Sequence, residues 1–157
     1  MPSSPTDSGV SILHATCVEV DGVAVLFEGP SGSGKSDLAL RLVAEGARLI
    51  ADDRTALSAA GGRLRARAPE PIRGFLEVRG LGIVRLEPSE CAAEAAVAAL
   101  IGLTANRIVV KRMPDPAERP VLGFNLPFLE LYPFEESATA KLRMFLRTLA
   151  DPEKLVE

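Results

Sequence analysis

The stretch Gly29-Pro30-Ser31-Gly32-Ser33-Gly34-Lys35-Ser36 has the spacing Gly-x-x-x-x-Gly-Lys-Ser, and each residue type in it suits the holding of nucleotide phosphates. Glycines let successive backbone N–H groups curl around phosphate oxygens with no Cβ in the way, and a helix opening at this point adds its dipole. Lys35 brings a point charge to the outer phosphates, and the Ser36 hydroxyl is a fitting Mg2+ ligand. A plain glycine- and serine-rich turn is the alternative. In a chain of this length the full pattern arises by chance about once in a hundred times or fewer, so phosphate binding is the stronger reading. Two more groups carry chemistry. Asp52-Asp53-Arg54 ends an apolar run, where carboxylates can reach a metal or a hydroxyl proton beside the phosphates, or else cap a solvated turn. Glu77 and Arg79 sit among apolar residues in Phe75–Val84, on one face of a strand; simple pairing in solvent accounts for them about as well as function does.

These residues must be positioned by alternating strands and helices. Val10–Val20 and Val23–Glu28 are β-branched and apolar, and Asp21-Gly22 between them predicts a hairpin. The second of these strands runs into the glycine-rich loop. A helix is expected from Lys35 to Glu45, with Leu38, Ala39, Leu42 and Val43 as its apolar stripe and Gly46 as its stop. A short strand follows at Arg48–Ala51, then a hairpin about Gly61-Gly62. Pro69 and Pro71 break the chain before Ile72–Leu86, which is strand-like with interruptions at Gly80 and Gly82. The alanine-rich segment between Ser89 and Ile101 predicts a helix capped by Ser89 and ended by Gly102. Arg107–Lys111 reads as a buried strand. Met113–Leu131, with four prolines, reads as an ordered loop holding a short strand, and Ser137–Ala150 as a last helix with Leu142, Phe145, Leu146 and Leu149 on one face.

At 157 residues, 47% apolar and with net charge −3, the chain fits one domain over residues 10–157 after a flexible tail at residues 1–9. No apolar run reaches the ~18–20 residues of a membrane span, and the opening residues lack the pattern of a secretory signal. Cys17 and Cys91 lie far apart, and together with a single histidine they argue against a disulfide scaffold or a zinc site and for a reducing cytoplasm. Mild, dispersed acidity makes nucleic acid a poor partner. There is no internal repeat and no linker.

Taken in order and spacing, His14, the loop 29–36, Asp52-Asp53-Arg54 and Leu76-Glu77-Val78-Arg79-Gly80-Leu81-Gly82-Ile83 resemble the catalytic domain of the HPr kinase/phosphorylase family. The resemblance covers most of residues 11–113, and the Glu-Val-Arg-Gly-Leu-Gly stretch is its more diagnostic part. It implies an α/β fold: a single P-loop kinase domain with a central mixed sheet and flanking helices, similar to phosphoenolpyruvate carboxykinase. It also implies a serine kinase that uses ATP and Mg2+ on an HPr-like phosphocarrier of a bacterial phosphotransferase system, without nucleic acid or membrane; homo-oligomer formation is left open. Position by position, Lys35 and Ser36 match the nucleotide and magnesium residues. Asp53 matches the residue that takes the serine proton, Glu77 a second magnesium contact, and His14 an active-site histidine. Arg112 matches a further active-site arginine, with Arg119 as the competing choice.

Two departures qualify the resemblance. Family members carry a long N-terminal domain, and the present chain resembles the short form whose carrier belongs to a regulatory phosphotransferase chain. Where members have Pro-x-Arg-x-Gly-Arg, linked to the reverse reaction with inorganic phosphate, this chain has Pro133-Phe134-Glu135-Glu136. Glutamates there repel phosphate, so phosphorolysis is expected to be weak. A non-catalytic ATP-binding sensor and a small-molecule or carboxykinase-like kinase are the rival functions.

Overall fold

The computed structural model describes residues 9–156, so of the expected tail only Gly9 falls within the described residues. In chain order the elements are β1 (Ser11–Leu13), β2 (Thr16–Val20), β3 (Val23–Glu28), α1 (Lys35–Ala44), β4 (Arg48–Ala51), β5 (Thr55–Ala60) and β6 (Arg63–Arg67). They continue with β7 (Phe75–Val78), β8 (Gly82–Arg85), β9 (Glu94–Leu103), β10 (Ala117–Val121), β11 (Phe124–Leu131) and α2 (Ala138–Ala150). Nine strands form one mixed sheet in the order β1-β5-β6-β9-β3-β2-β4, with β11 on β9 and β10 outside it; β7 and β8 pair separately. None of the described helices is long and apolar enough to cross a membrane.

Strand β9 explains why the sheet curls. Its first residues, Glu94–Ala96, pair with β6, while residues further along pair with β3 and β11. The two ends of one strand therefore belong to two half-sheets that face each other. Cys17, Leu26, Leu57, Leu64, Leu100 and Leu126 fill the space between them. On the outer face Val25, Phe27, Leu49 and Ile101 pack against Leu38 and Leu42 of α1 and Leu142 of α2. β3 is thus apolar on both faces, as a central strand must be, and each of its large buried side chains contributes about 1.5–3 kcal/mol.

Pairing fixes where the loops go. β3, β9 and β11 run parallel to one another, and β4 runs parallel to them because it is antiparallel to β2, itself antiparallel to β3. The segments after β3, β4, β9 and β11, and the one leading into β2, all emerge at one edge of the sheet.

Three expected elements are corrected. The helix predicted between Ser89 and Ile101 is strand β9, preceded by a single 3-10 turn at Pro88–Glu90 in which Glu90 Oε1 accepts the Glu87 N–H at 2.9 Å. Alanine favours helices when exposed, but here small side chains let β9 lie between crowded neighbours: Ala95 and Ala99 are buried, and a Cβ on Gly102 would meet the Phe128 ring at 2.8 Å. The buried strand predicted over Arg107–Lys111 is an exposed 3-10 turn at Arg107–Val109, with Ile108 90% exposed. Asn106 Oδ1 accepts the Ile108 N–H at 3.1 Å and holds the turn, and β11 already occupies the place beside β9 where such a strand would pair. The ordered loop with one short strand expected over Met113–Leu131 instead holds two paired strands, the β10–β11 hairpin from Ala117 to Leu131.

Candidate active site

The loop between β3 and α1 can only be built with glycine at its ends. Gly29 has φ +153°, and a Cβ there would lie 2.6 Å from Ser33 Oγ and 2.8 Å from the Leu103 carbonyl oxygen. Gly34, at φ +99°, caps α1, and a Cβ there would lie 2.8 Å from Pro133 Cγ. Pro30, Ser31 and Gly32 stand exposed at the rim. Lys35 is buried and its Nζ donates to the Gly29 carbonyl at 2.8 Å, so its charge sits inside the loop. The hydroxyl of Ser33 is buried without a hydrogen-bond partner among the described residues, a donor placed where an anion oxygen would satisfy it. A cradle that excludes Cβ atoms, a buried ammonium and an orphaned hydroxyl at a helix N-terminus fit a phosphate chain.

Beside this loop the two aspartates part company. Asp52 is buried, and its carboxylate is the hub of the site. Oδ1 accepts from Ser36 Oγ at 2.7 Å and from Thr16 Oγ1 at 3.1 Å, and Oδ2 accepts from the Glu77 N–H at 2.9 Å. Asp53 points out to solvent, with Oδ1 2.7 Å from Nε2 of the exposed His14. The reversal of direction is achieved by the backbone. Asp53 has φ +69°, and the Arg54 N–H bonds the Asp52 carbonyl across it at 2.8 Å, a one-residue turn. The Asp53 N–H is held by Thr16 Oγ1 at 3.0 Å. Such a conformation in a non-glycine residue stores about 1–3 kcal/mol of strain, and such strain collects at functional sites.

The remaining sequence candidates fall into two groups. Leu76, Glu77, Val78, Arg79, Gly80, Leu81, Gly82 and Ile83 form the β7–β8 hairpin. Leu76 is buried in the core under α1, while Leu81 and Ile83 are 77% and 74% exposed. The Glu77 side chain is exposed while its N–H bonds Asp52, and Arg79 is exposed two residues on, with no Glu77–Arg79 ion pair among the described residues. Arg112 lies on an exposed segment with its guanidinium 3.6 Å from Met113 Sδ, whereas Arg119 pairs at 3.6 Å with Glu28, the residue just before the loop. Thr16 escaped the sequence reading altogether. The one signal for it was a hydroxyl residue opening a strand of otherwise buried apolar positions. That Asp52, and not Asp53, contacts Ser36 was equally out of reach, since adjacent identical residues carry no mark of which way each will point.

Oxygen donors from a hydroxyl and a carboxylate at the mouth of a phosphate-type loop fit Mg2+. Among the described residues no group of three or more His, Cys, Asp or Glu side chains is placed to hold a metal ion by itself.

A mixed α/β sheet that carries such a glycine-bounded loop at the carboxyl edge of a buried central strand, with a helix opening directly after it, defines the class of this domain. Comparison with known proteins narrows this. The family described as HPr Serine kinase C-terminal domain matches residues 8–104, well over half of the chain, and the chain belongs to that family. It is 46% identical over 72 residues to the HPr kinase/phosphorylase of Clostridium beijerinckii and 45% identical over 78 residues to that of Mycoplasma genitalium. Those matches cover 46% and 50% of this chain, and about a quarter of each relative (24% and 25%). The fold is similar to the solved structure of the Hpr(Ser) kinase/phosphatase from Coxiella burnetii, with a TM-score of 0.72 and 24% identity over 92% of this chain and 90% of that one.

Proposed function

We propose that this chain is an ATP- and Mg2+-dependent serine kinase acting on an HPr-like phosphocarrier protein, working mainly in the direction of phosphorylation. The observation that carries the reading is the division of labour at one sheet edge: Asp52 on Ser36 at the phosphate loop, Asp53 facing solvent with His14. Transfer of a phosphoryl group needs mostly positioning and charge neutralisation, because charge spreads over equatorial oxygens in a loose transition state. The loop amides and Lys35 supply fixed positive potential. Ser36, Asp52 and the nearby Glu77 would hold Mg2+, which when bound neutralises charge on the outer phosphates. Asp53 accepts the proton of the incoming serine, and its contact with His14 keeps the carboxylate turned outward.

In the reverse direction the chain is handicapped. Glu135 occupies the region where relatives are expected to carry arginine, and the cations that reach it, Lys141 and Arg107 at 3.4 Å, are engaged by its carboxylate. Among the described residues the cations that reach this segment are thus already paired, and each missing charge-assisted hydrogen bond of ~1.5–3 kcal/mol slows phosphorolysis by about one to two powers of ten.

The test is to incubate the protein with γ-labelled ATP, Mg2+ and the HPr-like protein of the same cell. Label on a carrier serine, lost in Lys35→Ala, supports the reading. Label on a metabolite points instead to a small-molecule kinase, and ATP binding without any transfer points to a nucleotide sensor; either result overturns it.

A further inference from the structure

The segment after β11 forms a stack of rings beside the phosphate loop that the transfer chemistry leaves unused. Phe134 packs its edge over Gly34, where a Cβ would meet its Cζ at 3.1 Å, yet the ring is 48% exposed. Tyr132 stands edge-on to it, with centroids 5.7 Å apart and planes at 78°, and the Arg107 guanidinium lies 5.6 Å from the Tyr132 centroid. The backbone on both sides of Phe134 is tied to α1, since the Arg41 guanidinium donates to the carbonyls of Pro133 and Glu135. The ring is therefore held in place with one part open to solvent, bordering a groove of about 490 Å3 that Asp37, Arg41 and Glu136 also line.

Strand order gives the ring its meaning. Across the sheet edge the sequence of strands is β4-β2-β3-β9, with β11 beyond β9. The phosphate loop follows β3. Asp52 and Asp53 follow β4, and His14 leads into β2, all on one side of the loop; Phe134 and Tyr132 follow β11, on the other. A triphosphate lying along the loop with its terminal phosphate toward Asp53 must carry its nucleoside toward β9 and β11. We propose that Phe134, backed by Tyr132 and Arg107, is the platform on which the base of the nucleotide stacks. The proposal rests on the nucleotide reading above and adds to it the site that distinguishes a nucleoside triphosphate from a bare polyphosphate. Every base has a π-face, so a platform of this kind favours nucleotides over polyphosphate without strong preference among bases.

The experiment titrates Mg-ATP and Mg-tripolyphosphate against the wild-type protein, Phe134→Ala and Phe134→Trp. Phe134→Ala is expected to weaken ATP binding by roughly 5- to 100-fold and to leave tripolyphosphate within about twofold. The chain has no tryptophan, so Phe134→Trp introduces its one indole, which can be excited apart from Tyr132 and whose emission ATP should quench and tripolyphosphate should not. Equal weakening of both ligands in Phe134→Ala, no weakening of ATP, or equal quenching by both in Phe134→Trp would overturn the platform. Wild type that binds tripolyphosphate and ATP equally well defeats the platform alone and leaves the phosphate loop standing. Wild type that binds neither defeats the nucleotide reading and the platform with it.

Discussion

Two neighbouring aspartates with opposite surroundings allow their roles to be separated by substitution. Asp53 is exposed and among the described residues its carboxylate reaches only His14, so Asp53→Asn preserves size and hydrogen bonding while removing the proton acceptor. It is expected to lower the rate of transfer by about 10²- to 10⁴-fold with ATP affinity unchanged, as read by calorimetry beside a single-turnover assay. Asp52→Asn puts an amide where three donors now converge on a carboxylate. Its expected outcome is a ~10- to 100-fold rise in the Mg2+ concentration for half-maximal activity, together with about 1 kcal/mol lost from thermal stability. A larger rate loss in Asp52→Asn at saturating Mg2+ would reverse the assignment.

At the scale of elements, β9 decides the architecture. It is the one strand common to both half-sheets, and its alanines and Gly102 are sized to neighbours rather than to any intrinsic preference for a strand. Gly102→Ala forces a Cβ to within 2.8 Å of the Phe128 ring, so Phe128 must shift or β9 must part from β11. The expected loss is about 1–3 kcal/mol in chemical denaturation, and pairing the change with Phe128→Leu should recover part of it. If Gly102→Ala alone is neutral, β9 and β11 pack loosely enough for the Phe128 ring to yield at no cost. The same crowding explains why an alanine-rich run with a serine cap and a terminal glycine, each a sound helix signal, does not become a helix.

Across the whole molecule the C-terminal segment is fastened to the site by charge. Lys141 of α2 and Arg107 hold the Glu135 carboxyl below the usual carboxylate range, chiefly through the hydrogen bond from Lys141. A folded-state value below the unfolded one means that the stabilisation is present above the ordinary pKa of about 4.3 and is lost as pH falls through the depressed value. Glu135→Gln should therefore melt lower than wild type at neutral pH by an amount worth under about 1 kcal/mol, because both cations are more than half exposed. The gap between the two melting curves should close as the pH falls below about 4, and narrow in high salt. A gap that persists at pH 3 would show that Glu135 acts through packing and not through its charge.

Local pattern was enough to determine the parts of this protein whose physics is local. The Gly29–Ser36 loop, its flanking strand and helix, the Asp21-Gly22 hairpin and the stripe of α2 all follow from residue conformation and periodicity, and the order of its motifs sufficed to identify the family. What lay beyond the sequence depended on neighbours distant in the chain. Alanine in Glu94–Leu103 becomes strand because β3, β6 and β11 enclose it, and Arg107–Val109 loses its strand because β11 has taken the place at β9. The opposite facing of Asp52 and Asp53 depends on Thr16, thirty-six residues from the first of them, and on one residue of positive φ. Phe134 comes to lie beside Gly34 for the same kind of reason: parallel pairing brings the ends of β3 and β11 to one edge, a juxtaposition that only tertiary packing creates.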